Sequence, residues 1–154
     1  MLLGAAFLLS KEIHMAAMSN YLESGLIGHI FRGSTYTAPT TLYIGLVGKY
    51  DSGNLESGLY TDEISGASYA RVSGGPDASL WNAYTVSAEG TANTNTLTFP
   101  AATSNWGYVS GVFIADGSGT SNNLLLYGAL STPKNVTNGD TFSFGAGDLD
   151  IYFR

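Results

Sequence analysis

The feature that most constrains the fold is a series of short β-rich segments that follows Gly33 and alternates with turns. The segments are rich in Val, Ile, Thr, Tyr and Phe, which fit a pleated surface, and Gly, Asn, Asp and Pro separate them. About eight segments recur at intervals of about 8–15 residues, which is typical of a sandwich or a barrel. They are residues 41–47, 69–73, 84–87, 96–99, 106–115, 123–130, 141–144 and 149–153.

One helix is predicted before these segments, over residues 19–32. Its apolar residues recur every three or four positions: Leu22, Leu26, Ile27, Ile30 and Phe31. Asn20 and Glu23 have the spacing of a capping box, and Gly33 is a plausible stop. No strand–helix–strand alternation follows, so we expect no parallel sheet. The sequence predicts an all-β, jelly-roll-like antiparallel β-sandwich of about eight strands with one short N-terminal helix, and an immunoglobulin-like sandwich is the alternative.

The composition agrees with a β-protein and narrows the choice of partners. Charged residues make up 12% of the chain, against about 25% in ordinary soluble domains, which argues against a mainly helical protein. The net charge is −6, and six basic residues are scattered along the chain, which argues against nucleic acid as a partner. The chain contains no cysteine, so thiolate metal sites and disulfides are excluded.

The first residues form an apolar run that is too short to span a bilayer, so no membrane partner is expected. The run also lacks the basic start and the small-residue cleavage site of a signal peptide. We expect residues 1–18 to be an apolar arm and residues 19–154 to be a single β-sandwich domain. The arm should be buried against a neighbouring subunit, because an exposed apolar patch favours aggregation. Its candidate interface residues are Leu2, Leu3, Phe7, Leu8 and Leu9.

Catalytic and cofactor chemistry finds little support in the sequence. The two histidines, His14 and His29, have no second ligand at metal-binding spacing, and no nucleophile elbow is present. The Gly117–Gly119 segment is interpreted as a flexible loop rather than a catalytic serine site. We therefore expect no enzyme activity, no metal and no cofactor.

Two acidic pairs are candidates for a glycosidase site, and the second pair could also hold a calcium ion. They are Asp62 with Glu63, and Asp148 with Asp150. The second spacing places both carboxylates on one face of a strand, but simple alternation with Leu149 explains it better. Residues 135–137 match a glycosylation acceptor, which has no meaning without a secretory signal.

The aromatic residues give one further interpretation. Ten tyrosines and two tryptophans on a weakly charged scaffold could form a carbohydrate platform or a protein interface. For any single aromatic residue, packing at a sheet edge or corner is the better explanation.

An ordered series of motifs resembles the small virion proteins of tailed bacteriophages. The motifs are Asn-Tyr-Leu-Glu at 20–23, His-Ile-Phe-Arg-Gly at 29–33, Tyr-Thr-Ala-Pro at 36–39, Leu-Tyr at 42–43, Ser-Gly-Ala-Ser-Tyr-Ala-Arg at 65–71, Leu-Thr-Phe-Pro-Ala-Ala-Thr at 97–103, Trp-Gly at 106–107, Asn-Leu-Leu-Leu-Tyr-Gly at 123–128, Asn-Gly-Asp at 138–140 and Gly-Asp-Leu-Asp-Ile at 147–151. The resemblance covers residues 20–153, and the usual start of such proteins falls near Met18.

The resemblance implies a structural role with no catalytic residues. Proteins of this kind are often labelled tail fibre proteins, and similar small β-domains are trimeric capsid cement, or decoration, proteins. We favour a cement protein on the capsid surface, with the major capsid protein and two copies of itself as partners. The alternative is a tail-associated fibre or adhesion module that binds tail components or host glycan.

Overall fold

The computed structural model describes residues 6–8, 13–15 and 17–153, and its side chains are described from residue 17 onward. The chain is mostly β, as predicted, and no helix among these residues is long and apolar enough to cross a membrane. The elements are β1 (Ala6–Leu8), β2 (Ile13–Met15), β3 (Ala17–Met18), α1 (Asn20–Arg32), β4 (Leu42–Val47), α2 (Ser52–Glu56), β5 (Val72–Gly75), β6 (Gly90–Ala92), β7 (Leu97–Thr98), β8 (Gly107–Ala115), β9 (Leu124–Val136), β10 (Thr141–Phe144) and β11 (Leu149–Tyr152).

The main sheet has five antiparallel strands in the order β3-β9-β8-β4-β5. Its central strands β4, β8 and β9 bury side chains on both faces, which explains their nearly continuous apolar runs. Gly45 lies opposite Phe113 in this sheet, and only a residue without a Cβ leaves room for that ring.

Two three-stranded sheets complete the β-structure, with the orders β1-β10-β7 and β2-β11-β6. The pairs β1–β10 and β2–β11 are parallel, so the expectation of antiparallel pairing alone was wrong at these two edges. A parallel pair needs a long connection, and here almost the whole domain lies between the two partners. Patterns of neighbouring elements cannot reveal such a distant pairing. The all-β class is confirmed, and the jelly-roll topology stays a prediction.

Two apolar clusters cover opposite faces of the main sheet. The larger cluster includes Phe99, Phe142 and Phe144, whose rings meet edge to face at centroid distances of 5.2–6.2 Å. The smaller cluster packs Leu55 of α2 against Phe113 and its neighbours. α1 lies on the side of the larger cluster, because Leu22 is buried there.

Five local predictions need correction. The strand predicted at 69–73 is displaced to Val72–Gly75, and the strand predicted at 123–130 continues to Val136. Residues 84–87 form a turn with a single bridge between Thr85 and Gly90, not a strand. A second short helix, α2, lies between the segments predicted as strands at 41–47 and 69–73, and it begins because the Asp51 side chain accepts a hydrogen bond from the Asn54 amide. α1 is capped by Ser19 rather than by the pair at 20 and 23. Its end at Gly33 is confirmed, because this residue is left-handed with φ of 69°.

Candidate interaction surface

One side of α1 is covered by the chain itself. Leu22 is buried against the main sheet, and the segment after the helix folds back along it. His29 Nδ1 lies 3.0 Å from the Ser34 carbonyl oxygen, and the Tyr36 ring packs against Gly25. A Cβ at position 25 would overlap that ring, so glycine permits this close contact.

The other side of α1 is apolar and uncovered. Ile27, Ile30 and Phe31 are 55%, 67% and 78% exposed, and we call them the apolar helix face. The sequence predicts one apolar stripe through all five apolar helix residues, and in the structure these three lie on its exposed part. α1 contacts the main sheet through β3 and β9, and the buried contact is made by Leu22 in its first turn. Leu26 is partly buried against the larger cluster, and Ile27, Ile30 and Phe31 are left facing solvent.

A buried ion pair, which we call the Arg71 clamp, holds two loops on the opposite side of the main sheet. Arg71 Nε donates to Glu63 Oε1 and Nη2 donates to Glu63 Oε2, both at 2.8 Å. Nη1 donates to the carbonyl oxygens of Gly117 and Gly119, both at 2.9 Å. The side chains of Arg71 and Glu63 are only 2% and 11% exposed.

Aromatic rings enclose the clamp. The Arg71 guanidinium carbon lies 4.3 Å from the Tyr60 ring centroid and 4.8 Å from that of Phe113, which adds cation–π attraction. The Tyr69 hydroxyl donates to Glu63 Oε1 at 3.0 Å and accepts from the Leu46 amide at 2.9 Å. Every polar group of this cluster therefore has a partner, and the clamp holds the loop of Glu63 against the loop of Gly117 and Gly119.

The clamp shifts the ionisation of its members. Burial raises the pKa of Tyr60 to about 12, although the neighbouring Arg71 opposes the shift. Burial also raises the pKa of Tyr69, and the negative charge of Glu63 raises it further. Burial lowers the pKa of Arg71, but the hydrogen bonds and charge of Glu63 outweigh it, so the net pKa is raised. Arg71 therefore stays charged and both phenols stay neutral at physiological pH.

The sequence did not find this cluster. Glu63 lies between two segments predicted as strands, and Arg71 lies in the second of them, eight residues later. The available signal was a basic residue inside an alternating β-segment, because such a residue is buried only with a partner.

Most of the predicted arm residues lie outside the described part of the chain. Leu2, Leu3 and Leu9 lie outside the described residues. The backbones of Phe7 and Leu8 belong to β1, where they pair with Phe142 and Ser143 of the same chain. Their side chains are not described, so the interface prediction for the arm stays a prediction.

The two histidines serve different elements. The His14 backbone pairs with Asp150 through β2, and the His29 ring lies against the segment that follows α1. Within residues 6–8, 13–15 and 17–153, no group of three or more His, Cys, Asp or Glu side chains could hold a metal ion.

The acidic pairs do not form the arrangement considered from the sequence. Glu63 is engaged by Arg71, whereas Asp62 accepts the Gly48 amide through its backbone carbonyl at 2.9 Å. Asp148 lies in the turn before β11, where its Oδ2 accepts from the Gly145 amide at 2.9 Å. In β11 itself, the alternation of buried Leu149 with half-buried Asp150 confirms the simple explanation for Asp150, whereas Asp148 is buried in the turn before the strand.

Turn-forming carboxylates account for other polar motifs. Asp140 Oδ2 accepts from the Thr137 amide at 2.8 Å and from its hydroxyl at 2.7 Å. These bonds lower the pKa of Asp140. They also assign Thr137, the last residue of the glycosylation-like match, to a turn. Gly117 and Gly119 serve as backbone acceptors for Arg71.

Both tryptophans face inward. Trp81 Nε1 donates to the Gly74 carbonyl at 2.6 Å, and Trp106 Nε1 donates to the Ala67 carbonyl at 3.1 Å. Both rings pack against the larger cluster, which agrees with the packing explanation. Tyr84 and Tyr108 are 68% and 64% exposed.

Comparison with known families adds the decisive observation. The family model described as podophage GP4 fiber I protein gp80 matches residues 17–152, which is most of the chain. The chain belongs to this family. It is therefore a structural protein of a phage virion, and the resemblance to tailed-phage virion proteins is confirmed. No curated protein matches the chain significantly. The matched range begins at β3, so β1 and β2 lie outside it.

Proposed function

We propose that this chain is a fibre subunit of a tailed-phage virion. The observation that carries the proposal is the match of residues 17–152 to a family named for a fibre protein. The sequence favoured capsid cement instead, and we rank fibre above it because the family name supports a fibre.

We further propose that the subunit works without catalysis. The polar groups best placed to do chemistry are engaged in holding the chain's own backbone. Glu63 and Arg71 lock two loops, and Asp140 and Asp148 accept backbone amides in turns. A rigid β-scaffold in which these polar groups are hydrogen-bonded within the chain suits a structural subunit better than an enzyme.

The proposed partners are proteins of the virion. The apolar helix face offers them an uncharged contact surface, and association would remove its apolar area from water. Nucleic acid is not a proposed partner, because a net charge of −6 repels phosphate. A membrane is not proposed either. Assembly as a homotrimer stays a prediction, as does contact with the major capsid protein.

Adhesion to host glycan is retained only as a secondary role of the fibre. The inward-facing tryptophans do not offer a stacking platform, so the exposed rings of Tyr84 and Tyr108 would have to supply one. Replacing both tyrosines by serine should abolish binding to host-cell glycans if this role exists.

The location of the protein on intact virions tests the proposal. Gold-labelled antibody against the chain should decorate the tail, with few copies per particle by quantitative mass spectrometry. Antibody against the major capsid protein serves as the head control. Dense head labelling at a copy number close to that of the capsid protein would instead select cement, and absence from purified virions would overturn both assignments.

A further inference from the structure

We propose that two copies of this chain associate through the apolar helix face, with α1 of one copy packed antiparallel against α1 of the other. The inference rests on the proposed function in one respect, namely that a virion fibre contains more than one copy of its subunit. It names the partner that covers Ile27, Ile30 and Phe31.

The size of the uncovered face supports an intersubunit contact. Taking about 150–250 Å² for a large apolar side chain, the exposed fractions of the three residues amount to roughly 350 Å². The largest apolar patch on a soluble monomer is typically about 300–600 Å² and is often functional, so a face of this size is a candidate contact surface. A specific interface buries about 800 Å² per partner, so this face supplies nearly half of that area as its apolar centre. Polar residues of the helix and its surroundings would form the rim.

The spacing of the three residues suits helix-to-helix packing. Positions i, i+3 and i+4 lie side by side on a helix, so Ile27, Ile30 and Phe31 form one continuous ridge. The opposite side of α1 is covered by the main sheet and by the segment containing Ser34 and Tyr36. Only the exposed ridge is therefore available to a partner helix.

Charge placement favours a second copy in antiparallel orientation. The ridge itself carries no charge, so it is complementary to itself across a twofold axis. Glu23 lies one turn before Ile27 on the same side of the helix. A parallel arrangement would bring two Glu23 carboxylates together. An antiparallel arrangement centred near position 29 would hold them about 18 Å apart, where salt screens their repulsion. It would also oppose the two helix dipoles favourably.

Oligomeric state in solution tests the contact directly. The purified 154-residue chain should sediment as a dimer of the 16.1 kDa subunit. The double variant Ile30→Gln/Phe31→Gln should associate at least about 30-fold more weakly, which is the effect of losing a hot spot. Glutamine is a good helix former, so α1 should persist in circular dichroism. Leu59→Gln is the matched control, because Leu59 is 51% exposed and follows α2, which packs on the other side of the main sheet.

The absence of cysteine allows a second, geometric test. Ile30 lies close to the proposed twofold axis, so Ile30→Cys should form disulfide-linked dimers under mild oxidation. Leu59→Cys should not. A chain that sediments as a monomer at all concentrations would overturn the inference, and so would an oligomer that the glutamine variant leaves intact. Neither result would affect the fibre assignment, because virion labelling measures it separately. Loss of the variant from virions, with a monomeric parent, would assign the face to another virion protein and overturn self-association.

Discussion

Replacing Arg71 by methionine should destabilise the domain strongly. The change removes two hydrogen bonds to Glu63 and two to the carbonyls of Gly117 and Gly119, and it leaves an 11% exposed carboxylate without its cation. Breaking a buried ion pair from one side costs about 3–5 kcal/mol. Domains of this kind have about 5–15 kcal/mol of total stability, so the loss is a large fraction of it.

Urea unfolding followed by tryptophan fluorescence measures this loss. Trp106 is a natural probe because its ring centroid lies 5.5 Å from that of Tyr69, whose hydroxyl contacts Glu63. With an m-value of about 2 kcal/mol per molar, a loss of 4 kcal/mol moves the midpoint by about 2 M urea. Arg32→Met is the matched control, because this arginine is exposed and should change stability by less than about 0.5 kcal/mol.

A double variant separates the ion pair from the other contacts of Arg71. Arg71→Met/Glu63→Leu removes both charges, so it should lose less free energy of unfolding than the sum of the two single changes. A urea midpoint for Arg71→Met within about 0.5 M of the parent would refute the claim that the clamp stabilises the domain. Strict additivity would refute the ion pair as its source.

Three further changes test other parts of the structure. Asp140→Asn should lower the melting temperature at neutral pH. As the pH is lowered, the melting temperature of the variant should fall less than that of the parent. The Thr137 bonds lower the Asp140 pKa, so its contribution is full above the unfolded value of about 4 and is lost as the pH falls through the lower folded value; identical pH profiles would contradict this. Gly45→Ala should lower the free energy of unfolding by about 1–3 kcal/mol, because its methyl overlaps the buried Phe113 ring, and unchanged urea unfolding would count against it. Deleting residues 1–16 should speed amide exchange in β10 and β11 but not in β8, and uniform protection would show that β1 and β2 add nothing.

Strong local patterns made most of the strands predictable. β4, β8, β10 and β11 were placed to within one residue at each end, because each combines β-formers with a nearby turn residue. Residues 84–87 failed for a tertiary reason. They alternate as a strand should, but only Thr85 finds a bridging partner, at Gly90. β6 was missed because Gly-Thr-Ala carries almost no β-signal by itself.

The surfaces that matter for function depend on packing between distant elements. Periodicity showed that α1 is amphipathic, but not that the main sheet covers only part of its apolar residues. The Arg71 clamp requires Glu63, Arg71 and the loop at Gly117 to meet, and no local pattern encodes that meeting. The family motifs indicated a virion protein directly. The apolar helix face became visible only from the exposed fractions of its side chains in the folded chain.

The parallel pairing of β1 with β10 and of β2 with β11 has a consequence for how the chain folds. Ala6 and Thr141 are joined across about 135 residues of sequence, and Leu149 pairs with Ile13 over a similar span. Contacts this distant carry a high loop-closure entropy and form late. During synthesis, both small sheets must wait until β10 and β11 have left the ribosome, while the β4–β8–β9 region can already assemble. We therefore expect the chain to acquire its main sheet first and to close its two ends together in a final, slower step.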